Sequence, residues 1–195
     1  MVINRLMEGF DRISRTLAII GGWPVLGLSL LIGVDVIGRK LFNLSVQGAD
    51  EIGGYVMAVA CAFGFSFGLA KRSHIRLNIV LPKLPPLFQA FANVVAYLIL
   101  LAFSYLMLWQ MLDMLFESIR LKAIAPTPLQ TPLAWPQFLC AFGISYFAVH
   151  LTLYFIKAFG LLLRWNIAEL NRIFGVETAE KEAEAELKET RIEVR

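Results

Sequence analysis

Residues 35–51 read Asp-Val-Ile-Gly-Arg-Lys-Leu-Phe-Asn-Leu-Ser-Val-Gln-Gly-Ala-Asp-Glu. They end one long apolar run and begin the next, so they bring charge close to lipid. An ionisable group at the centre of a helix in lipid costs about 2.5–3.5 kcal/mol. Asp35 and Arg39 are four residues apart, in the favourable order for a helical ion pair. Asp50 and Glu51 fall in the first turn of the following helix, whose dipole favours negative charge. The stretch is therefore either a hairpin tip stabilised by its own charges or a contact with another subunit.

The composition predicts an all-α integral membrane protein. The chain is 58% hydrophobic and 17% charged, with a mean hydropathy of +0.67. Four apolar runs are long enough to cross a bilayer, and they predict spans at about residues 17–38, 52–70, 87–116 and 136–163. Although the net charge is +3, the basic residues lie at the borders of the spans, which excludes a nucleic-acid-binding face.

Two shorter segments are predicted to lie in the membrane interface. Residues 1–16 place apolar side chains at helical spacing with three arginines between them, which is typical of an amphipathic interfacial helix; the alternative is a simple extension of the first span. The stretch between spans 2 and 3 begins with Lys71 and Arg72 and ends at Pro82, and it predicts a short interfacial helix. Residues 17–165 form the membrane domain, and residues 166–195 form a charged tail.

The second span is rich in small residues, which allow helices to approach closely in lipid. Gly64 and Gly68 form a GxxxG pattern, so we expect this helix to lie centrally in the bundle. His74 and His150 are the only histidines. His74 lacks a second ligand nearby and is interpreted as an interfacial polar contact rather than a metal ligand. His150, near the middle of the fourth span, is either a neutral side chain bonded to a neighbouring helix or part of a proton relay.

The connection at residues 117–136 carries four prolines, and this density predicts a stiff, extended segment. The distribution of Lys and Arg predicts which side of the membrane it faces. Most of these bases fall on the side that holds both termini, so both termini are predicted to be cytoplasmic. The proline-rich connection and residues 35–51 then face outward.

The chain resembles the small membrane subunit of tripartite ATP-independent periplasmic (TRAP) transporters over roughly residues 10–165. The resemblance rests on four segments in this order: Asp35-Val36-x-x-Arg39, Phe42-Asn43, Gly48-Ala49-x-Glu51 and Ser73-His74-Ile75-Arg76. The four-span layout agrees with it.

This resemblance implies a non-enzymatic, cofactor-free subunit of the bacterial inner membrane. Such a subunit pairs with a large polytopic membrane subunit that carries the sodium and substrate sites. A periplasmic binding protein delivers the substrate, commonly an organic acid. The candidate subunit-contact or structural residues are then Asp35, Arg39, Glu51, Gly64, Gly68, His74 and Arg76.

Arg120, Lys122 and Trp135 are the candidates for docking the binding protein, because they place positive charge and an aromatic ring on an outward connection. The alternative for the two bases is contact with lipid phosphates. Two other functions compete with the transporter subunit: a four-helix haem protein, which needs axial ligands within the bundle, and a stand-alone small transporter, which needs a polar pathway through the spans.

Overall fold

The computed structural model describes residues 2–43, 47–71 and 85–174 of the chain. The described part is helical, with five α-helices: α1 Val2–Phe42, α2 Ala49–Ala70, α3 Pro86–Leu121, α4 Ala134–Leu163 and α5 Ile167–Phe174. The first four are long and apolar enough to cross a membrane. The predicted class, an all-helical protein with four spanning helices, is therefore confirmed.

The helix ends follow from local chemistry. The backbone of Lys122 is left-handed, with φ 49°, and the amides of Lys122 and Ala123 donate to the carbonyls of Ile119 and Ser118. This pattern is the Schellman motif, which satisfies the last carbonyls of α3. Trp165 ends α4 in the same way, with φ 56°.

The chain forms two compact units, Met1–Ser73 with Leu100–Tyr154 and His74–Ile99 with Phe155–Arg195. In the first unit, α2 lies between α1 and α4. Gly21 of α1 packs on Ala60 and Phe63 of α2, while Gly143 of α4 packs on the other side of Phe63. Within this unit α2 contacts both α1 and α4, while its central position in the whole bundle stays a prediction.

The second unit contains α5, which falls in the segment predicted as a charged tail. Two of its apolar side chains, Leu170 and Phe174, are fully buried, and the ring of Phe174 meets Tyr97 of α3 edge to face at 5.4 Å. Asn171 Nδ2 also donates to the carbonyl of Pro86 at 2.9 Å. Residues 167–174 of the predicted charged tail thus form a helix whose apolar face packs on α3. The rest of the predicted tail lies outside the described residues.

Of the two segments predicted as interfacial helices, the structure describes only the N-terminal one. The helix at residues 1–16 is not confirmed as a separate element, because α1 runs unbroken from Val2 to Phe42. This agrees with the alternative, an extension of the first span. The predicted short helix between spans 2 and 3 lies outside the described residues.

The prediction of an extended proline-rich connection is wrong. Residues 122–133, which we call the α3–α4 loop, fold back on themselves. The amide of Ala125 donates to Thr131 and that of Leu133 to Ala123, both at 3.0 Å. A turn closed by the amide of Gln130 on the carbonyl of Thr127 reverses the chain. Proline suits such turns because its fixed φ presets the backbone.

Candidate functional site: two polar clusters of the first unit

Five side chains of α1 and α4 form a polar cluster, which we call the Asp11–His150 cluster: Asp11, Ser14, Tyr146, His150 and Tyr154. Asp11 Oδ1 lies 3.0 Å from His150 Nε2 and accepts a hydrogen bond of 3.0 Å from the hydroxyl of Tyr154. His150 is 0% exposed, whereas the Asp11 side chain is 37% exposed. The cluster therefore joins a fully buried imidazole to a carboxylate at the protein surface.

Both ring nitrogens of His150 are engaged. The hydroxyl oxygen of Ser14 lies 3.3 Å from Nδ1, and Ser14 can also donate to the carbonyl of Phe10 at 2.8 Å. If Ser14 donates to Phe10, then Nδ1–H donates to Ser14 and the imidazole carries two protons. If the hydroxyl turns to Nδ1, the imidazole is neutral and donates only to Asp11. The same heavy atoms thus accommodate His150 in either protonation state.

The cluster explains why the first turns of α1 stay on the bundle. Tyr146 donates to the carbonyl of Phe10 at 2.8 Å, and the two rings stack with centroids 5.2 Å apart. These contacts hold Phe10, Asp11 and Ser14 against α4. If residues 1–16 formed a helix in the plane of the membrane interface, these contacts with α4 would have to break.

Of the two interpretations of His150, its bond to a neighbouring helix is confirmed. Its partners Asp11, Ser14, Tyr146 and Tyr154 were not predicted from the sequence. One signal was available for Asp11 and Ser14: they lie four and seven residues after Met7, so the three share one face of a helix. Nothing in the sequence indicated that this face meets α4.

The predicted ion pair at the other end of α1 is confirmed. Arg39 donates to Asp35 Oδ2, and the Asp35 side chain is only 1% exposed, whereas that of Arg39 is largely exposed. The carboxylate is thus inside the first unit while the guanidinium reaches its surface. Whether the pair also contacts another subunit stays a prediction.

A second polar cluster fixes the α3–α4 loop on the N-terminus of α2. The carboxylate of Glu51 accepts hydrogen bonds from Thr127 of the loop and from Tyr55, one turn further along α2, the latter at 2.9 Å. Thr131 approaches the same carboxylate. Leu129 packs on Gly48, whose φ is 84°. Glu51 is therefore engaged within its own chain.

The remaining candidates are dispersed. A Cβ added to Gly64 would have no heavy atom of the described residues within 4 Å, so Gly64 faces away from α1 and α4, and Gly68 is half-buried. Arg120 and Lys122 are exposed at the end of α3, and Trp135 is 70% exposed at the start of α4. His74 and Arg76 lie outside the described residues.

The chemistry of these clusters suits binding and positioning. Since both nitrogens of His150 already have partners, coordination to a haem iron would require breaking the Asp11–His150 cluster. Within residues 2–43, 47–71 and 85–174, no three His, Cys, Asp or Glu side chains converge as metal ligands. The clusters link helices and a loop through hydrogen bonds and ion pairs.

Comparison with known proteins identifies the class of this bundle. A family model described as "Tripartite ATP-independent periplasmic transporters, DctQ component" matches residues 28–161, which is more than half of the chain. The match includes Asp35, Glu51 and His150, whereas Asp11 and Ser14 precede it. No curated protein matches the chain.

Proposed function

The chain belongs to the DctQ family of TRAP transporter components, and we propose that it is the small permease subunit of a sodium-coupled, binding-protein-dependent importer of organic acids. The observation that carries this proposal is the family match across residues 28–161, combined with four helices long enough to span a membrane. The family is one of transporter components rather than enzymes.

We infer that the subunit is a scaffold and that the sodium and substrate sites belong to a large polytopic partner. The ionisable side chains buried in the first unit support this division. Asp35 is bonded to Arg39, and His150 is bonded to Asp11. The first pair lies within α1 and the second joins α1 to α4, so both buried groups are already engaged inside the subunit. A transport pathway instead needs polar groups that can release their partners.

The direct test is reconstitution. The subunit should co-purify with the large membrane subunit, and vesicles containing both should take up substrate when the binding protein and a sodium gradient are present. Vesicles containing this subunit without the large one should show no uptake. Sodium-driven uptake by the subunit alone would exclude the scaffold role and favour a stand-alone transporter.

We also propose that the subunit lies in the bacterial inner membrane with both termini in the cytoplasm, as the distribution of Lys and Arg predicts. The α3–α4 loop then faces the periplasm. Arg120 and Lys122 are exposed beside it, and Trp135 follows it. These three residues are the proposed docking surface for the binding protein.

Two features support the docking surface. Positive charge steers an acidic partner and raises the association rate. Lys122 also holds a left-handed backbone, with φ 49°, where glycine would be the favoured residue. A lysine kept in this conformation is consistent with a requirement for its side chain.

The docking surface is tested by neutralising its charge. Arg120→Gln with Lys122→Gln should raise the binding-protein concentration for half-maximal uptake, leave the maximal rate unchanged and weaken the salt dependence. Arg12→Gln with Arg15→Gln is the matched control, because it removes the same charge from exposed positions on α1 and should leave that concentration unchanged. If the Arg120 and Lys122 variant alters only the amount of assembled complex, the two bases are membrane anchors.

A further inference from the structure

The α3–α4 loop is a hairpin with little internal support. Its backbone bonds join Ala125 to Thr131, Gln130 to Thr127 and Leu133 to Ala123. A two-stranded hairpin of this size is at most marginally stable in water. Its conformation must therefore be fixed by what it contacts.

One contact is the carboxylate of Glu51. Thr127 bonds to Oε2, and Tyr55 bonds to Oε1 at 2.9 Å. Because Tyr55 lies one turn along the same helix, it holds the carboxylate in the orientation that receives Thr127. Hydrogen bonds to an ionised acceptor are stronger than neutral ones, so this contact is well suited to hold the hairpin in place.

The other contact is the close approach of Leu129 to Gly48. A Cβ on Gly48 would lie 2.3 Å and 2.5 Å from two carbons of the Leu129 side chain. The φ of 84° also disfavours any other residue at this position. Leu129 can therefore reach the N-terminus of α2 only because Gly48 has no side chain.

We propose that Gly48 and Glu51 are positioning residues that seat the α3–α4 loop and so set the arrangement of the docking surface. The connection runs through the backbone: the amide of Leu133 donates to the carbonyl of Ala123, and these residues adjoin Lys122 and Ala134. The seated loop thereby fixes Lys122 relative to Trp135. This inference rests on the proposed docking function, and of the two roles predicted for Glu51, subunit contact or structural residue, it favours the structural one.

The experiment compares variants of Thr127 in the complete transporter. Thr127→Val keeps the shape of the side chain but removes the hydrogen-bond donor, whereas Thr127→Ser keeps the donor. We expect Thr127→Val to raise the binding-protein concentration for half-maximal uptake roughly 12- to 150-fold, the equivalent of one hydrogen bond to a charged group. Thr127→Ser should behave like the wild type, and the maximal rate should stay unchanged in both.

A second pair of variants tests the carboxylate. Glu51→Gln should change the half-maximal concentration in the same direction as Thr127→Val but by less, because the amide keeps one acceptor and loses the charge. The matched control is Asp50→Asn, because Asp50 is an exposed acid in the same helical turn and its substitution makes the same change in charge. Equal effects of Glu51→Gln and Asp50→Asn would indicate a general charge effect and overturn the positioning role of Glu51.

Tryptic cleavage after Arg120 and Lys122 reports on the loop without any transport assay. Thr127→Val should be cleaved faster than the wild type, and Thr127→Ser should not. If cleavage and half-maximal concentration both stay at wild-type values in Thr127→Val while the Arg120 and Lys122 variant remains impaired, the positioning role is wrong and the docking surface stands. If Thr127→Val is cleaved faster, but neither Thr127→Val nor the Arg120 and Lys122 variant changes the half-maximal concentration, the docking function itself is wrong. The inference is then wrong as well.

Discussion

Substitution by alanine is predicted to affect stability differently at Gly143 and at Gly64. A Cβ at Gly143 would lie 2.8 Å from a ring carbon of Phe63, 2.9 Å from the Cβ of Ala62 and 3.0 Å from the backbone carbon of Ala62. A Cβ at Gly64 would have no heavy atom of the described residues within 4 Å. Gly143→Ala should therefore destabilise the isolated subunit, and Gly64→Ala should not.

The magnitude follows from comparing the two variants with each other. Each substitution gains the same helix propensity, about 1 kcal/mol, so the difference between them isolates the steric clash. Inserting one methyl group into a packed core costs about 1–3 kcal/mol. The backbone carbon of Ala62 cannot rotate away as a side chain could. For a protein of this size the difference corresponds to a melting temperature lower by about 2–12 °C in Gly143→Ala.

The assay is thermal unfolding of the purified subunit in one detergent, followed by tryptophan fluorescence. Equal melting temperatures of the two variants would refute the close approach of α2 and α4. The same variants also test the predicted subunit contact at Gly64. If that face of α2 meets the large subunit, Gly64→Ala lowers the yield of the complex while the isolated subunit keeps its stability.

Three further predictions concern the polar groups and the topology. His150→Leu should lower the free energy of unfolding by about 1–3 kcal/mol, since it removes a donor from Asp11. Asp11→Asn should lower it by less, because its amide keeps an acceptor. Equal stability of the wild type and both variants would exclude a stabilising role for the Asp11–His150 cluster. Asp35→Asn and Arg39→Gln should be non-additive, with a coupling of about 0.5–3 kcal/mol in a double-mutant cycle of unfolding, whereas additive losses would indicate separate partners. Gln130→Cys in a cysteine-free background should react with an impermeant thiol reagent outside intact cells; labelling that requires lysis would reverse the topology.

Hydropathy and local spacing predicted the features that depend on neighbouring residues. Four apolar runs became four spanning helices, and the spacing of Asp35 and Arg39 became an ion pair. The Asp11–His150 cluster joins residues 139 positions apart. Helical periodicity shows that Asp11 lies on the face of Met7 and Ser14, but it contains no information about which helix that face meets.

The glycines show the same limit. The GxxxG pattern selected Gly64 because pattern matching counts spacing along one helix. Close approach depends on how two helices are rotated about their axes, and α4 is rotated so that Gly143 meets Ala62 and Phe63. The prolines of the α3–α4 loop were misinterpreted for a related reason. Their fixed φ is compatible both with an extended segment and with a turn, and the contact with Glu51 selects the turn.

One stripe of α1 relates these polar groups to the membrane. Met7, Ser14, Gly21, Leu28 and Asp35 recur every seven residues, and all are buried. A seven-residue repeat is the pattern by which helices wrap around one another with a left-handed twist. Asp35 follows Ser14 by 21 residues, about 31 Å along a helix, which is close to the thickness of the hydrocarbon core.

The order of residues in this stripe matches the layers of a bilayer. The middle of the stripe is small or apolar, and its polar members, Ser14 and Asp35, lie on either side of that middle part. Both polar members are bonded within the chain, Ser14 to His150 of α4 and Asp35 to Arg39 of α1. The polar contacts of Ser14 therefore help to hold α1 on α4, while the outer apolar residues of α1, such as Leu30 and Val34, stay available to lipid and to a membrane partner, as the scaffold proposal requires.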